Sequence, residues 1–128
     1  MNAVHPAYAV TTSIHQLLDT AGRLLDDTPA GLKVGRYRGA SFALRAALEM
    51  AVANALRSAS LASEHVSLRG QFLCLRSCTE AATARRAKAV WALLCLGCHY
   101  HQYELGPTAD QVRVWHAEVT DVVVLLGI

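Results

Sequence analysis

Ser13-Ile14-His15-Gln16-Leu17-Leu18-Asp19-Thr20-Ala21-Gly22-Arg23-Leu24-Leu25 repeats its apolar residues at steps of three and four: Ile14, Leu17, Leu18, Ala21, Leu24 and Leu25. At the helical period these project from one side of the chain, whereas the two-residue period of a strand would scatter them over both faces. An amphipathic first helix is predicted. Ser13 with Gln16 three residues on reads as a capping box for its start, although turns can begin earlier near Tyr8. Asp26-Asp27-Thr28-Pro29-Ala30-Gly31 ends it, because Pro and Gly continue a helix poorly and two acids sit unfavourably at its negative end.

The same period governs the rest. A second helix is predicted over about Lys33 to Ser60, with Tyr37, Leu44, Ala47, Leu48, Ala51, Ala55 and Leu56 inward. Arg38, Arg45, Glu49 and Val52 form another stripe of it, in which Arg45 and Glu49 are an i,i+4 pair. After a linker at Ala62 to His65, helical sequence runs from Val66 to about Leu105, with a break expected near Ser77-Cys78-Thr79. Past that break Ala87, Val90, Trp91, Leu94, Cys98 and His101 fall on one face. Gly106-Pro107 turns the chain, and Thr108 with Gln111 caps a last helix that buries Val112, Trp115, His116, Val119, Val122, Val123 and Leu126. No strand-period segment or repeat is found. The fold class is therefore all-α, an antiparallel four- or five-helix bundle filling residues 1–128 as a single domain.

Composition narrows the setting. The chain is 53% hydrophobic, mostly Ala, Leu and Val, more than a soluble monomer needs, so a homo-oligomer is expected. The longest apolar stretch, Ala89 to Cys98, is far short of the roughly 20 residues that span a bilayer, and no secretory signal is recognisable. The expected setting is cytoplasmic and without a membrane, and there four cysteines between positions 74 and 98 stay reduced. Charge is uneven: Lys33 to Lys88 carries ten basic residues against three acids, a net +7, and the two ends together carry −5. Such asymmetry either presents an electropositive face to RNA or another polyanion, or pairs basic with acidic helices inside the bundle.

Cys95-Leu96-Gly97-Cys98-His99-Tyr100-His101-Gln102-Tyr103 carries three incompatible signatures. Cys95-x-x-Cys98-His99 has the spacing of a c-type haem attachment site, but that chemistry belongs outside the cytoplasm and a full helix follows here. Cys95, Cys98, His99 and His101 are all permissible zinc ligands, yet on one helix His99 and His101 diverge widely, and Cys74 and Cys78 would complete a site only if two helices faced each other. Packed thiols, with no metal and no cofactor, are the expectation.

The third signature is His101-Gln102-Tyr103 on a late helix, preceded by a second helix opening Gly35-Arg36-Tyr37-Arg38-Gly39-Ala40 and followed by one more helix. In these features, over most of its length, the chain resembles the HEPN family of small helical bundles. The family's ribonucleases carry Arg, four to six residues and then His, often extended to His-x-Tyr. His101 and Tyr103 match the latter part, while Leu96, Cys95 and Leu94 stand at the three places open to the arginine. The resemblance implies a degenerate domain that binds RNA, a nucleotide or a protein partner as a symmetric homodimer, with ribonuclease activity vestigial or absent, in the toxin–antitoxin or phage-defence settings typical of the family. A metal-independent ribonuclease needs a general base and a phosphate-stabilising cation; His101 can serve as the first and Leu96 cannot serve as the second. Arg36, Arg38 and Arg45 are candidate substitutes, and Arg85 and Arg86 join them as candidate RNA-binding residues. An alternative is a small-molecule enzyme or binding protein whose pocket holds His101, Tyr103, Glu104 and His116. Against both stands the ordinary role of a histidine on an apolar stripe, which is to be packed and hydrogen bonded.

Overall fold

A computed structural model of the chain describes residues 6–26, 33–61, 65–99 and 106–128, and among these it contains helices and no strand. In chain order they are α1 (Pro6–Asp26), α2 (Lys33–Ser58), α3 (Leu68–Cys74), a 3-10 turn (Leu75–Ser77), α4 (Ala81–Cys98) and α5 (Ala109–Leu125). The all-α bundle expected from periodicity is what forms, with five α-helices among the described residues. The break near Ser77 falls at the 3-10 turn.

The packing centres on α2, which touches every other element. Its buried residues Ala40, Ala43, Ala47 and Ala51 are small, so neighbouring helices approach closely, and Leu44, Leu48, Val52 and Leu56 fill the space between them. Ile14, Leu18, Ala21 and Leu25 of α1, Ala87, Val90 and Leu94 of α4, and Val112, Val119, Val122 and Val123 of α5 complete one continuous cluster. Contacts fix the directions. Arg38 meets Cys98 while Glu49 meets Trp91, so α2 and α4 run antiparallel. Gly97 lies against Trp115 while Arg86 reaches Glu118, so α4 and α5 do too.

The helix ends show which local signals hold. Thr108 and Gln111 form the expected capping box at α5, each side chain accepting from the other's backbone N–H. Ser13 does not cap α1: the helix begins at Pro6, and the Ser13 hydroxyl donates to the Ala9 carbonyl one turn back. At its other end α1 runs to Asp26, and the terminal signals from Asp27 to Gly31 lie outside the described residues.

Two helices close with the same Schellman pattern. Leu61 N–H donates to Leu56 and Ser60 N–H to Arg57 at the end of α2; Ile128 N–H donates to Val123 and Gly127 N–H to Val124 at the end of α5. The pattern needs a residue with positive φ. At α5 that residue is Gly127, at +87°, but at α2 it is Ser60, at +59°, where a Cβ is unfavourable. Ser60→Gly is accordingly expected to raise stability by about 1 kcal/mol, read as a higher urea midpoint at unchanged slope. A lower midpoint would show that the serine side chain contributes more than its backbone strain costs.

The sequence reading errs at the end of α4. Helix was expected to about Leu105, but α4 stops at Cys98, with His99 at φ −116° and ψ 24°. Residues 100–105, with His101, Tyr103 and Glu104, lie outside the described residues. Leu96, at the motif-arginine position, lies in the last turn of α4 and is 72% exposed.

Candidate nucleic-acid interface

Arg38, Phe42, Arg45 and Glu49 recur at four-, three- and four-residue steps and so occupy one side of α2. Antiparallel packing sets that side against the carboxyl end of α4. Arg38 Nε donates to the Cys98 carbonyl at 3.2 Å, and Arg45 Nη1 donates to His99 Nε2 at 3.1 Å. Because a guanidinium only donates, the His99 ring nitrogen is the acceptor in this bond. Two cations thus meet the negative end of the α4 dipole, where positive charge is favoured.

Phe42 stands between them. Its ring is 39% exposed, with the Arg38 guanidinium 5.6 Å from its centroid and that of Arg45 at 5.1 Å. Below it Glu49 ties the arrangement down: Oε1 lies 3.7 Å from Arg45 Nε and accepts from Trp91 Nε1 at 3.1 Å. Trp91 in turn stacks on Phe72, centroids 4.6 Å apart. The ion pair read from the sequence as an i,i+4 contact is therefore a half-buried anchor linking α2, α4 and α3.

Along α4, Arg85, Lys88, Ala92, Cys95 and His99 follow at three- and four-residue steps, making one stripe about 20 Å long at the helical rise. Arg85 and Lys88 are exposed at its start, and Arg38, Arg45 and His99 cluster at its end. Arg86, one residue off this stripe, is different. It is ion-paired with Glu118 and, at 3.6 Å, with Asp121 on α5, and its hydrogen bond to Glu118 pushes the guanidinium pKa further up. Pairing of a basic with an acidic helix thus accounts for Arg86 and leaves Arg85 and Lys88 facing solvent. Arg36, two residues before Arg38, lies on another side of α2, away from the cluster.

His116 has a structural task. Its Nε2 donates to the Leu18 carbonyl at 3.0 Å, joining α5 to α1 beside Gly22. Leu18, Asp19, Gly22, Arg23 and Asp26 line the open cleft around it. The expected partners of His116 in a small-molecule pocket, His101, Tyr103 and Glu104, lie outside the described residues.

Among the described residues, Cys95, Cys98 and His99 are not arranged as a metal site. Cys98 is fully buried, and burial pushes its thiol pKa up, away from the thiolate a metal would need, the nearby Arg45 only partly opposing this. His99 Nε2 is already occupied by Arg45. Cys78 is likewise raised by burial and by its neighbour Cys74. Among the described residues no group of three or more His, Cys, Asp or Glu side chains is arranged to hold a metal ion. None of their helices is long and apolar enough to cross a membrane.

Of the basic residues singled out in the sequence, the fold thus joins Arg38 with Arg45, places Arg85 on the same track and diverts Arg86. Phe42 was missed. Its signal was present as Arg38-x3-Phe42-x2-Arg45, an aromatic flanked by cations one helical turn to either side. No family model matches this chain, and comparison with curated proteins and with solved structures likewise finds no match.

Proposed function

We propose that this bundle is a degenerate HEPN-like domain that binds single-stranded RNA along the α2–α4 track, with ribonuclease activity vestigial or absent. The observation that carries the reading is the exposed Phe42 ring flanked by Arg38 and Arg45 at the carboxyl end of α4. Guanidinium groups engage phosphate oxygens by charge-assisted hydrogen bonds, and an aromatic face accepts any base by stacking. The two arginines stand where the chain leaves α4 toward His101. Both already serve as hydrogen-bond donors to the end of that helix, which suits holding a strand better than stabilising a transition state. A second copy of the chain and a role in toxin–antitoxin or defence systems accompany the proposal through the same resemblance.

The test is fluorescence anisotropy with a short labelled single-stranded RNA. Arg38→Gln with Arg45→Gln is expected to weaken binding about tenfold or more, and Phe42→Ala by about fivefold to a hundredfold. Arg86→Gln should leave affinity nearly unchanged, because that side chain is committed to α5. No binding by the unmodified protein, or an equal loss from the Arg86 variant with the fold intact, would remove the proposal.

A further inference from the structure

Arg76 of the 3-10 turn and Arg85 and Lys88 of α4 line one cleft of about 210 Å³, above a floor formed by Phe72, Leu73 and Ala84. No acid lines it. None of the three cations is hydrogen bonded or ion-paired to a described residue, although Arg86, next in the chain to Arg85, is bound to two carboxylates. Like charges one turn apart on a helix, as Arg85 and Lys88 are, repel each other, so the free protein bears an electrostatic cost that the fold does not relieve. An anion placed among them would relieve it.

We propose that this cleft binds a phosphomonoester, the group found at the end of an RNA strand or on a small organic phosphate. A phosphomonoester carries roughly −1.5 to −2 at neutral pH, against −1 for each internal diester, so three cations favour the chain end over the chain interior. Its oxygens accept from Arg76, Arg85 and Lys88, and the carbon body it carries lies on Leu73, half of whose side chain is exposed, beside Phe72. The volume suits a phosphate with a small organic body. The cleft shares Arg85 and Lys88 with the α4 track, so its RNA form rests on the reading above; recognition of the phosphate group itself does not.

Calorimetry on the full chain tests this with three probes: phenyl phosphate, and one short RNA carrying either a 5′-phosphate or a 5′-hydroxyl. Phenyl phosphate is expected to bind, with its affinity lowered about tenfold or more by Arg85→Gln combined with Lys88→Gln, retained in Lys88→Arg and unchanged by Arg57→Gln. Tighter binding of the phosphorylated RNA, with the preference lost in the Arg85/Lys88 variant and kept in the Arg38/Arg45 variant, assigns the cleft to strand ends. Binding of phenyl phosphate without any RNA preference assigns it to free organic phosphates. Loss of RNA binding alone sinks only the RNA reading. The cleft proposal is overturned if phenyl phosphate fails to bind and the two RNAs bind alike, or if the Arg85/Lys88 variant, folded by circular dichroism, retains full affinity.

Discussion

Leu48→Ala should lower the unfolding free energy by about 2–5 kcal/mol, the range for truncating a fully buried leucine. Leu48 is completely buried at the middle of the helix that contacts every other element, so the missing methyl groups would leave a void whose walls belong to several helices. Such walls collapse poorly. Domains of this size are stable by only about 5–15 kcal/mol, so the loss would be a large share of the total. Leu96→Ala is the matched control: the same atoms leave a site that is 72% exposed, and the expected change is within about 0.5 kcal/mol. Urea denaturation of both variants would measure the difference. Comparable losses at the two positions would contradict the assignment of α2 as the centre of the core.

Gly97→Val is expected to be nearly as damaging, for the opposite reason. A Cβ at position 97 would lie 2.8 Å from Trp115 Cζ3, 3.2 Å from Trp115 Cη2 and 3.3 Å from Ser41 Oγ, so α4 would be forced away from α5 and α2 together. Overpacking of this kind costs about 1–3 kcal/mol, and a β-branched side chain adds atoms beyond the Cβ. The contact is specific to the Trp115 ring, so Trp115→Leu should absorb part of the cost. In a double-mutant cycle the combined loss should fall short of the sum of the single losses. Additive losses would mean that the glycine is not needed to admit the tryptophan.

The fold was legible because its helices bury stripes that recur at the helical period. Ile14, Leu18, Ala21 and Leu25 of α1 and Val112, Val119, Val122 and Val123 of α5 can be read directly, and the Thr108/Gln111 cap is a local signal that tertiary structure leaves alone. The end of α4 was not legible. No proline or turn dipeptide stands between Trp91 and Gly106, and the end at Cys98 is met by long-range bonds: Arg38 takes the Cys98 carbonyl and Arg45 the His99 ring. Both donors lie more than fifty residues away in the chain. The site was legible only in part for the same reason. Arg38, Arg45, Arg85 and Arg86 look alike as basic residues in a positive stretch. Whether each faces an acidic helix, a carbonyl or water is decided by the packing of helices remote in sequence. His116 illustrates the other limit, since its partner is a backbone carbonyl that no side-chain pattern announces.

The central claim is that Arg38 and Arg45 hold the phosphates of a single strand, and the salt dependence of RNA affinity reads that contact most directly. For single strands the slope of log affinity against log salt is about −0.7 for each phosphate neutralised. Titration across a salt series is therefore predicted to give a steep negative slope for the unmodified protein, made shallower by about 1.4 when both arginines become glutamine, two contacts' worth. An unchanged slope in the folded variant, or no measurable binding by the unmodified protein even at low salt, would contradict it.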